Sequence, residues 1–340
     1  MMPAALPVPI PSWGSWSVAD LVAAKAGRRV SVVIPARDEE DTVGAVVAAV
    51  RRDWLERTPL VDEVIVIDSD SVDGTAARAR AAGAVVFSAK DIRPDQGPAE
   101  GKGEALWKGL QVSTGDLLVF LDADLLEWGT HFVPGLLGPL LLDDQVQLVK
   151  AVYDRPMLDE HGHEAESGGR VTELVARPLL ALHWPALAGI IQPLSGEWAI
   201  RRAAFERLSV PMGYGVEIAA LIDVAELFGA EAVAQVDLGR RTHRHHRHDT
   251  LGPMAVQVLA AVEARLGTRL PAPTPTHLEL RQFDRAPTGY VARSRHVNVG
   301  ERPPAITVAD SSAAGEDFLA TGAGSLVAGA GSLVAGEGAQ

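Results

Sequence analysis

The stretch Gly115-Asp-Leu-Leu-Val-Phe-Leu-Asp-Ala-Asp-Leu125 decides how the chain is read. Turn residues Thr114-Gly115-Asp116 open it, Leu117 to Leu121 carry no charge, and Asp122-Ala123-Asp124 close it. An unbroken apolar run between turn residues predicts a strand covered on both faces. Side chains two apart on a strand share a face, so Asp122 and Asp124 are expected to point the same way at its exit. Paired carboxylates at the carboxyl end of a buried parallel strand suit a hard divalent cation and, through it, a diphosphate. The bland alternative is a pair of acidic loop residues that merely end the strand.

Working outward, the same grammar repeats. Upstream, Ser17 opens a helix, Val30 to Ile34 reads as a strand stopped by Pro35, and the acidic turn Ala36 to Thr42 leads into a helix carrying Val43, Val46, Val47 and Val50. A second strand, Glu63 to Ile67, ends at Asp68 to Thr75, before an alanine-rich helix over 76–82 and a short strand over 84–88. Residues 89–103 form a long polar loop, of a length that is more often functional than idle, and the helix 104–112 follows. Downstream the pattern predicts a helix over Phe132 to Leu142 and a strand over Val146 to Tyr153. A helix opens at Gly168-Gly169-Arg170, and 189–200 reads as strand, turn and strand. An apolar helix ends at Phe228, a strand covers Ala232 to Leu238, and a last helix covers Leu251 to Leu266. Alternating strands and helices predict an α/β fold with a mostly parallel central sheet flanked by helices, and ligands at the carboxyl ends of its strands. The organisation expected is a flexible 1–16, a nucleotide-sugar-binding half over 17–150, an acceptor-binding half of the same domain over 151–266, and a C-terminal extension over 267–340. The extension has Pro271, Pro273 and Pro275 at its start and a repeated GAGSLVA near its end, so it is expected to be partly disordered.

The 340 residues are enough for a large core, and a net charge of −13 argues against general nucleic-acid binding. With no cysteine, thiolate metal sites and cysteine nucleophiles are excluded. No apolar run is long enough for a membrane span, and the proline-punctuated start lacks a secretory pattern, so a cytoplasmic enzyme is expected.

Three further clusters carry chemistry. Gly101-Lys102-Gly103 precedes a helix, where amides and an ammonium suit an anion, although the stretch is not a Walker A loop. Gly168-Gly169-Arg170-Val171-Thr172 is a second anion cradle, with glycines for close approach and a guanidinium fork for phosphate or carboxylate. The histidine-rich stretch 243–248 follows a strand; His243 is a candidate to complete a metal site begun by Asp124, with Mn²⁺ or Mg²⁺ as the ion, and Arg241 to face an acceptor anion. Together these describe a glycosyltransferase that takes a sugar nucleotide and an anionic acceptor.

SVVIPARDEE, VIVIDSDSVDGT and VFLDADL, in that order, resemble the nucleotide-binding half of the GT-A (Rossmann-like) glycosyltransferases. EGKGEALWKGL, QLVKAVYDRP, GGRVTELVARPLL, QPLSGEWA and GYGVEIAALID make the chain similar to the actinobacterial glucosyl-3-phosphoglycerate synthase family over about residues 12–266. That resemblance implies retaining transfer of glucose from UDP-glucose to 3-phosphoglycerate, towards glucosylglycerate and methylglucose lipopolysaccharide, by a homodimer using Mg²⁺ or Mn²⁺. It implies nucleotide-sugar contacts at Pro35, Ala36, Arg37, Asp38, Glu39, Ser69, Lys102, Asp122 and Glu217. It also implies metal ligands Asp124 and His243, and acceptor contacts at Gly169, Arg170, Val171, Thr172 and Arg241. Arg37-Asp38 departs from the family's usual Leu-Asn, bringing a cation near the nucleotide, and His245 stands where the family tends to have an asparagine that contacts the acceptor. Asp124, Glu217, Lys102 and Leu194 are the expected catalytic group. With no carboxylate clearly placed as nucleophile, transfer is expected on the front face of the sugar, supported by the backbone at Leu194-Ser195-Gly196, with Glu197 and Glu217 as the alternatives. The competing readings are a mannosyl-3-phosphoglycerate synthase using GDP-mannose, a sugar nucleotidyltransferase and a non-catalytic binding protein.

Overall fold

Residues 10–154, 157–158, 164–165, 169–243, 251–267, 276–286 and 289–308 are described in a computed structural model of the chain. The strands are β1 (Val30–Ala36), β2 (Glu63–Asp68), β3 (Val85–Ser88), β4 (Leu117–Phe120), β5 (Leu125–Glu127), β6 (Leu148–Asp154), β7 (Met157–Leu158), β8 (Glu164–Ala165), β9 (Trp198–Arg201), β10 (Val210–Pro211), β11 (Val233–Arg240), β12 (Thr242–His243), β13 (His277–Ala286), β14 (Gly289–Asn298) and β15 (Glu301–Arg302). The helices are α1 (Val18–Lys25), α2 (Val43–Val50), α3 (Thr75–Ala81), α4 (Lys102–Val112), α5 (Phe132–Leu142), α6 (Arg177–His183), α7 (Arg202–Phe205), α8 (Val216–Phe228) and α9 (Leu251–Leu266). By packing, the chain divides after Ala305, and of the unit that follows only residues 306–308 are described.

Seven strands share one sheet in the order β11-β6-β9-β4-β1-β2-β3. Neighbours pair in parallel except around β9, which runs antiparallel to both β4 and β6. The apolar runs of β1 and β4 are buried along almost their whole length, because helices cover both faces. In α2, Val43, Val46, Val47 and Val50 recur at helical spacing and all become inaccessible to water, each worth about 1.5–3 kcal/mol of transfer free energy. Ser17 caps α1 by accepting the Asp20 amide at 3.1 Å.

The antiparallel insertion of β9 positions the site. A strand that runs against its neighbours begins where they end, so Trp198, the first residue of β9, pairs with Phe120, the last of β4. The residues just before it, Ser195 to Glu197, therefore arrive at the carboxyl edge of the sheet. β11 is parallel to β6 and delivers Arg241 to the same edge after a bulge between Asp237 and Arg240.

Five sequence expectations change. β1 is not stopped by Pro35 but continues through it to Ala36, in register with Ile67 and Asp68 of β2. β4 stops at Phe120, so Asp122 and Asp124 lie in the turn beyond the strand rather than on it. α4 begins at Lys102, putting that residue in the first helical turn. The first strand expected within 189–200 is absent: Pro193 has no amide for a ladder, and the Ile191 amide goes instead to Gln235 Oε1 at 2.7 Å. The extension beyond 267, where no element was expected, holds the antiparallel hairpin β13–β14 and the short β15, which pairs with β10. Most of residues 1–16 and of 308–340 lies outside the described residues. No helix among the described residues is long and apolar enough to cross a membrane.

Candidate active site

Asp122 and Asp124 converge, as a shared face predicts, although a turn achieves it. Both carboxylates meet one guanidinium nitrogen, Arg241 Nη2, at 3.0 and 3.4 Å. The other arm of Arg241, Nη1, donates to Glu197 Oε2 at 2.7 Å and to the Tyr153 hydroxyl at 2.9 Å, and Tyr153 donates to Glu197 at 2.6 Å. On the far side of Asp122, Lys102 Nζ donates to Oδ1 at 2.6 Å and pairs with Glu217 Oε1 at 3.1 Å. Two cations and four carboxylates thus form one chain across the carboxyl edge of the sheet.

Burial is the largest influence on Asp122, Lys102 and Arg241, and it disfavours ionisation. For Asp122 it is overcome by Lys102 and Arg241, which hold the carboxyl well below the usual carboxylate range. For Lys102 it is overcome by Asp122 and Glu217, so the ammonium keeps its proton. Arg241 likewise stays charged, chiefly through Glu197 and Tyr153. Lys150 is the exception. It is 1% exposed, its Nζ donates to the Ser195 carbonyl at 2.9 Å, and burial pushes it down to about 7.

Gly196 explains how the edge is packed. A Cβ built there would lie 2.4 Å from Asp122 Oδ2 and 2.8 Å from Lys102 Nζ. Gly101 and Gly103 also require close approach, but to protein: added Cβ atoms would meet the Met212 and Pro211 carbonyls. The Glu104 amide already donates to the Met212 carbonyl at 2.9 Å. The start of α4 therefore offers the Lys102 ammonium rather than an open amide cradle.

The second anion cradle behaves differently. Gly169 has φ +111°, a conformation that favours glycine, and Arg170-Val171 begins a helix that passes through a π-helical stretch, Thr172–Ala176, into α6. Gly169 and Thr172 line a cavity of about 180 Å³ together with Tyr153, Gln192, Leu194 and Ser195. Tyr153 thus stands between this cavity and Arg241. Arg170 is half-buried and Val171 buried beside it.

The expected nucleotide contacts gather at the ends of β1 and β2. Pro35 and Ala36 end β1; Ser69 donates its amide to the Ala36 carbonyl at 2.9 Å. The two loops are laced by Asp38 N to Ser71 Oγ at 3.0 Å, Val72 N to Asp38 Oδ1 at 2.8 Å and Glu39 N to Thr75 Oγ1 at 2.7 Å. Asp38 holds φ +55°. Arg37, largely exposed, pairs with Glu100 at 3.1 Å, linking this loop to the segment before α4.

As for a metal, Asp122 and Asp124 already share a cation, so the turn suits positive charge. β12 pairs with β5 so that His243 stands opposite Leu125, the neighbour of Asp124. The His243 side chain and the whole of His245 lie outside the described residues, and among those described no three His, Asp or Glu side chains gather as a metal set.

Two residues of the site have no role in the sequence reading. Tyr153 lies in the quoted stretch QLVKAVYDRP but shows no chemistry by spacing. Lys150 does give a signal: it is a lone charge within the apolar run Leu148-Val-Lys-Ala-Val152. Glu197, weighed above as a nucleophile, is fully buried and committed to Tyr153 and Arg241.

Comparison with known proteins agrees with this geometry. Residues 31–208 match glycosyl transferase family 2. A glucosyl-3-phosphoglycerate synthase from Mycolicibacterium smegmatis is 46% identical over 87% of this chain and 96% of its own length. One from Petrotoga mobilis is 42% identical, covering 83% of this chain and 87% of that protein. A crystal structure of the Mycobacterium tuberculosis glucosyl-3-phosphoglycerate synthase with Mn²⁺, UDP-glucose and phosphoglyceric acid superposes with a TM-score of 0.75 at 42% identity, covering 89% of this chain and 99% of that one.

Proposed function

The chain belongs to the glucosyl-3-phosphoglycerate synthases of glycosyl transferase family 2, and from that membership we propose that it transfers glucose from UDP-glucose to 3-phosphoglycerate with retention of configuration. The observation that carries this is the join between two sites: the cavity of Gly169, Thr172 and Leu194 meets, through Tyr153, the Lys102–Asp122–Arg241 chain, whose paired carboxylates suit a cation that carries a diphosphate. One site fits a leaving diphosphate, the other a small acceptor with a phosphate and a carboxylate.

In this reading Pro35, Ala36, Arg37, Asp38, Glu39 and Ser69 hold the nucleotide, and Lys102 offsets diphosphate charge as it develops. Glu217, fixed by Lys102 at 3.1 Å, contacts the donor sugar. Asp124 and His243 hold Mg²⁺ or Mn²⁺, which would supply Lewis-acid stabilisation of the diphosphate. Gly169, Arg170, Val171, Thr172, Arg241 and His245 receive the acceptor. The acceptor hydroxyl oxygen bonds to the anomeric carbon on the face from which the UDP oxygen departs, and its proton passes to the departing diphosphate. Leu194 and the backbone to Gly196 support that front-face geometry, and a covalent glucosyl-Glu217 trapped by mass spectrometry would overturn it. The reading carries a cytoplasmic homodimer, tested by cell fractionation and by light scattering for twice the 35.9 kDa chain mass.

The deciding experiment is product analysis with UDP-glucose or GDP-mannose, 3-phosphoglycerate, and Mg²⁺ or Mn²⁺, with and without chelator. Metal-dependent release of UDP with glucosyl-3-phosphoglycerate is expected. Mannosyl transfer, or release of a nucleoside triphosphate in a parallel arm with pyrophosphate in place of 3-phosphoglycerate, would replace the proposal.

A further inference from the structure

We infer that Arg302, in the C-terminal extension and outside the residues that define the transferase family, is a positioning residue for the donor site: it fixes the segment 89–104 that carries Glu100 and Lys102. Arg302 is 5% exposed. Its guanidinium grips Glu104 with two bonds, Nε to Oε2 at 2.7 Å and Nη2 to Oε1 at 2.8 Å. It also donates to the carbonyls of Gln96 and Gly97, the latter at 2.9 Å. The planar group lies over the Trp107 ring, 5.4 Å from its centroid, and the indole N–H donates to the Pro303 carbonyl at 3.3 Å. Glu104 passes the restraint on: it pairs with Lys108 at 3.1 Å, and Lys108 Nζ donates to the Ala89 carbonyl at 2.6 Å.

Arg302 itself therefore holds the middle and the end of the sixteen-residue segment from Ala89 to Glu104, and Lys108, which shares Glu104 with it, holds the start. The segment has only two short 3₁₀ turns of its own before α4, so little local structure sets its shape. It nevertheless presents Glu100 to Arg37 at 3.1 Å and Lys102 to Asp122 at 2.6 Å. The fork of Arg302 suits this task, because two carboxylate oxygens and two carbonyls need donors in fixed directions that a lysine cannot supply. β15 holds the arginine in place by pairing with β10, whose continuation packs against the start of α4.

The test compares wild type, Arg302→Met and Arg302→Lys in the full chain, and it rests on the donor role given to Lys102 above. Met keeps volume over Trp107, and Lys108 stays on Glu104, so R302M leaves no unpaired buried charge. Calorimetric titration with UDP and Mn²⁺ is expected to show R302M binding roughly tenfold more weakly, less than the loss of about a hundredfold in rate that a misplaced reacting group can cost. The KM for UDP-glucose should rise in parallel while the KM for 3-phosphoglycerate does not move, and R302K should recover part of the affinity. A folded R302M with wild-type UDP affinity overturns the inference, and so does an equal loss for both substrates. Should R302M not fold, wild-type UDP affinity in R302K overturns it and weakened affinity supports it. A wild-type chain that binds no UDP sinks the donor reading as well, whereas failure confined to the variants sinks this inference alone.

Discussion

Gly196 shows how little room one residue leaves at the carboxyl edge. A methyl group there would stand 2.4 Å from Asp122 Oδ2, so Gly196→Ala must push the Asp122–Lys102 pair apart. Turnover is expected to fall by about 10²-fold, the loss that small misplacements produce, with the melting temperature nearly unchanged. Asp124→Ala is expected to abolish turnover while circular dichroism stays that of wild type; wild-type rates would remove Asp124 from the metal role. Lys150 adds a pH signature. Its proton affinity in the folded chain is pushed from 10.5 down to about 7 by burial, so between these values the unfolded chain binds the proton and the folded chain does not. Stability contributed at this residue therefore rises with pH from about 7 to 10.5 and is lowest below 7, where folding must bury the charge. The melting temperature of wild type relative to Lys150→Met should rise across that window; a constant offset would show that Lys150 stays charged. Lys150 was legible as an oddity in an apolar run, whereas its partner, the Ser195 carbonyl, was not, because forty-five residues separate them.

Among the elements, those with a strong period were readable from the chain. The valine stripe of α2, the apolar runs of β1 and β4, and the limits of α5 all follow from local pattern, because one face or both must leave water. Gly101 and Gly103 read in the sequence as part of an anion-binding helix start, whereas in the structure both lie close to protein carbonyls. Gly103 faces the Pro211 carbonyl, where an added Cβ would sit 1.8 Å away. Gly103→Ala should therefore cost about 1–3 kcal/mol through overpacking, visible as a lower denaturation midpoint without ligand. An unchanged midpoint combined with weaker UDP binding would restore the phosphate-cradle reading. The stretch 189–194 illustrates the reverse failure: its apolar composition reads as strand, but its amides go to side chains and turns.

For the whole molecule, the sheet order brings together residues from six separate stretches: 102, 122–124, 153, 196–197, 217 and 241. The charges so gathered make metal dependence the global prediction. Chelator should stop turnover completely and Mn²⁺ should restore it, while the melting curve without substrate shifts little, because Asp122 and Asp124 already have Arg241 as a counter-charge. Retained activity in chelator would remove the cation from the mechanism.

By itself, the sequence determined the α/β alternation, the acidic turns at strand ends and the helix start after Gly169. Each of these is local: periodic burial, turn chemistry and helix starts are set by residues a few positions apart. Only the tertiary structure decided that the antiparallel β9 carries Glu197 behind Arg241, that Tyr153 lies between the cavity beside Gly169 and the carboxylates, and that Arg302 reaches back to Glu104. Those pairings cross 44 to 198 residues of chain. Ion pairs and hydrogen bonds at such separations leave no periodic trace, because their partners are chosen by the order of strands in the sheet and not by spacing along the chain.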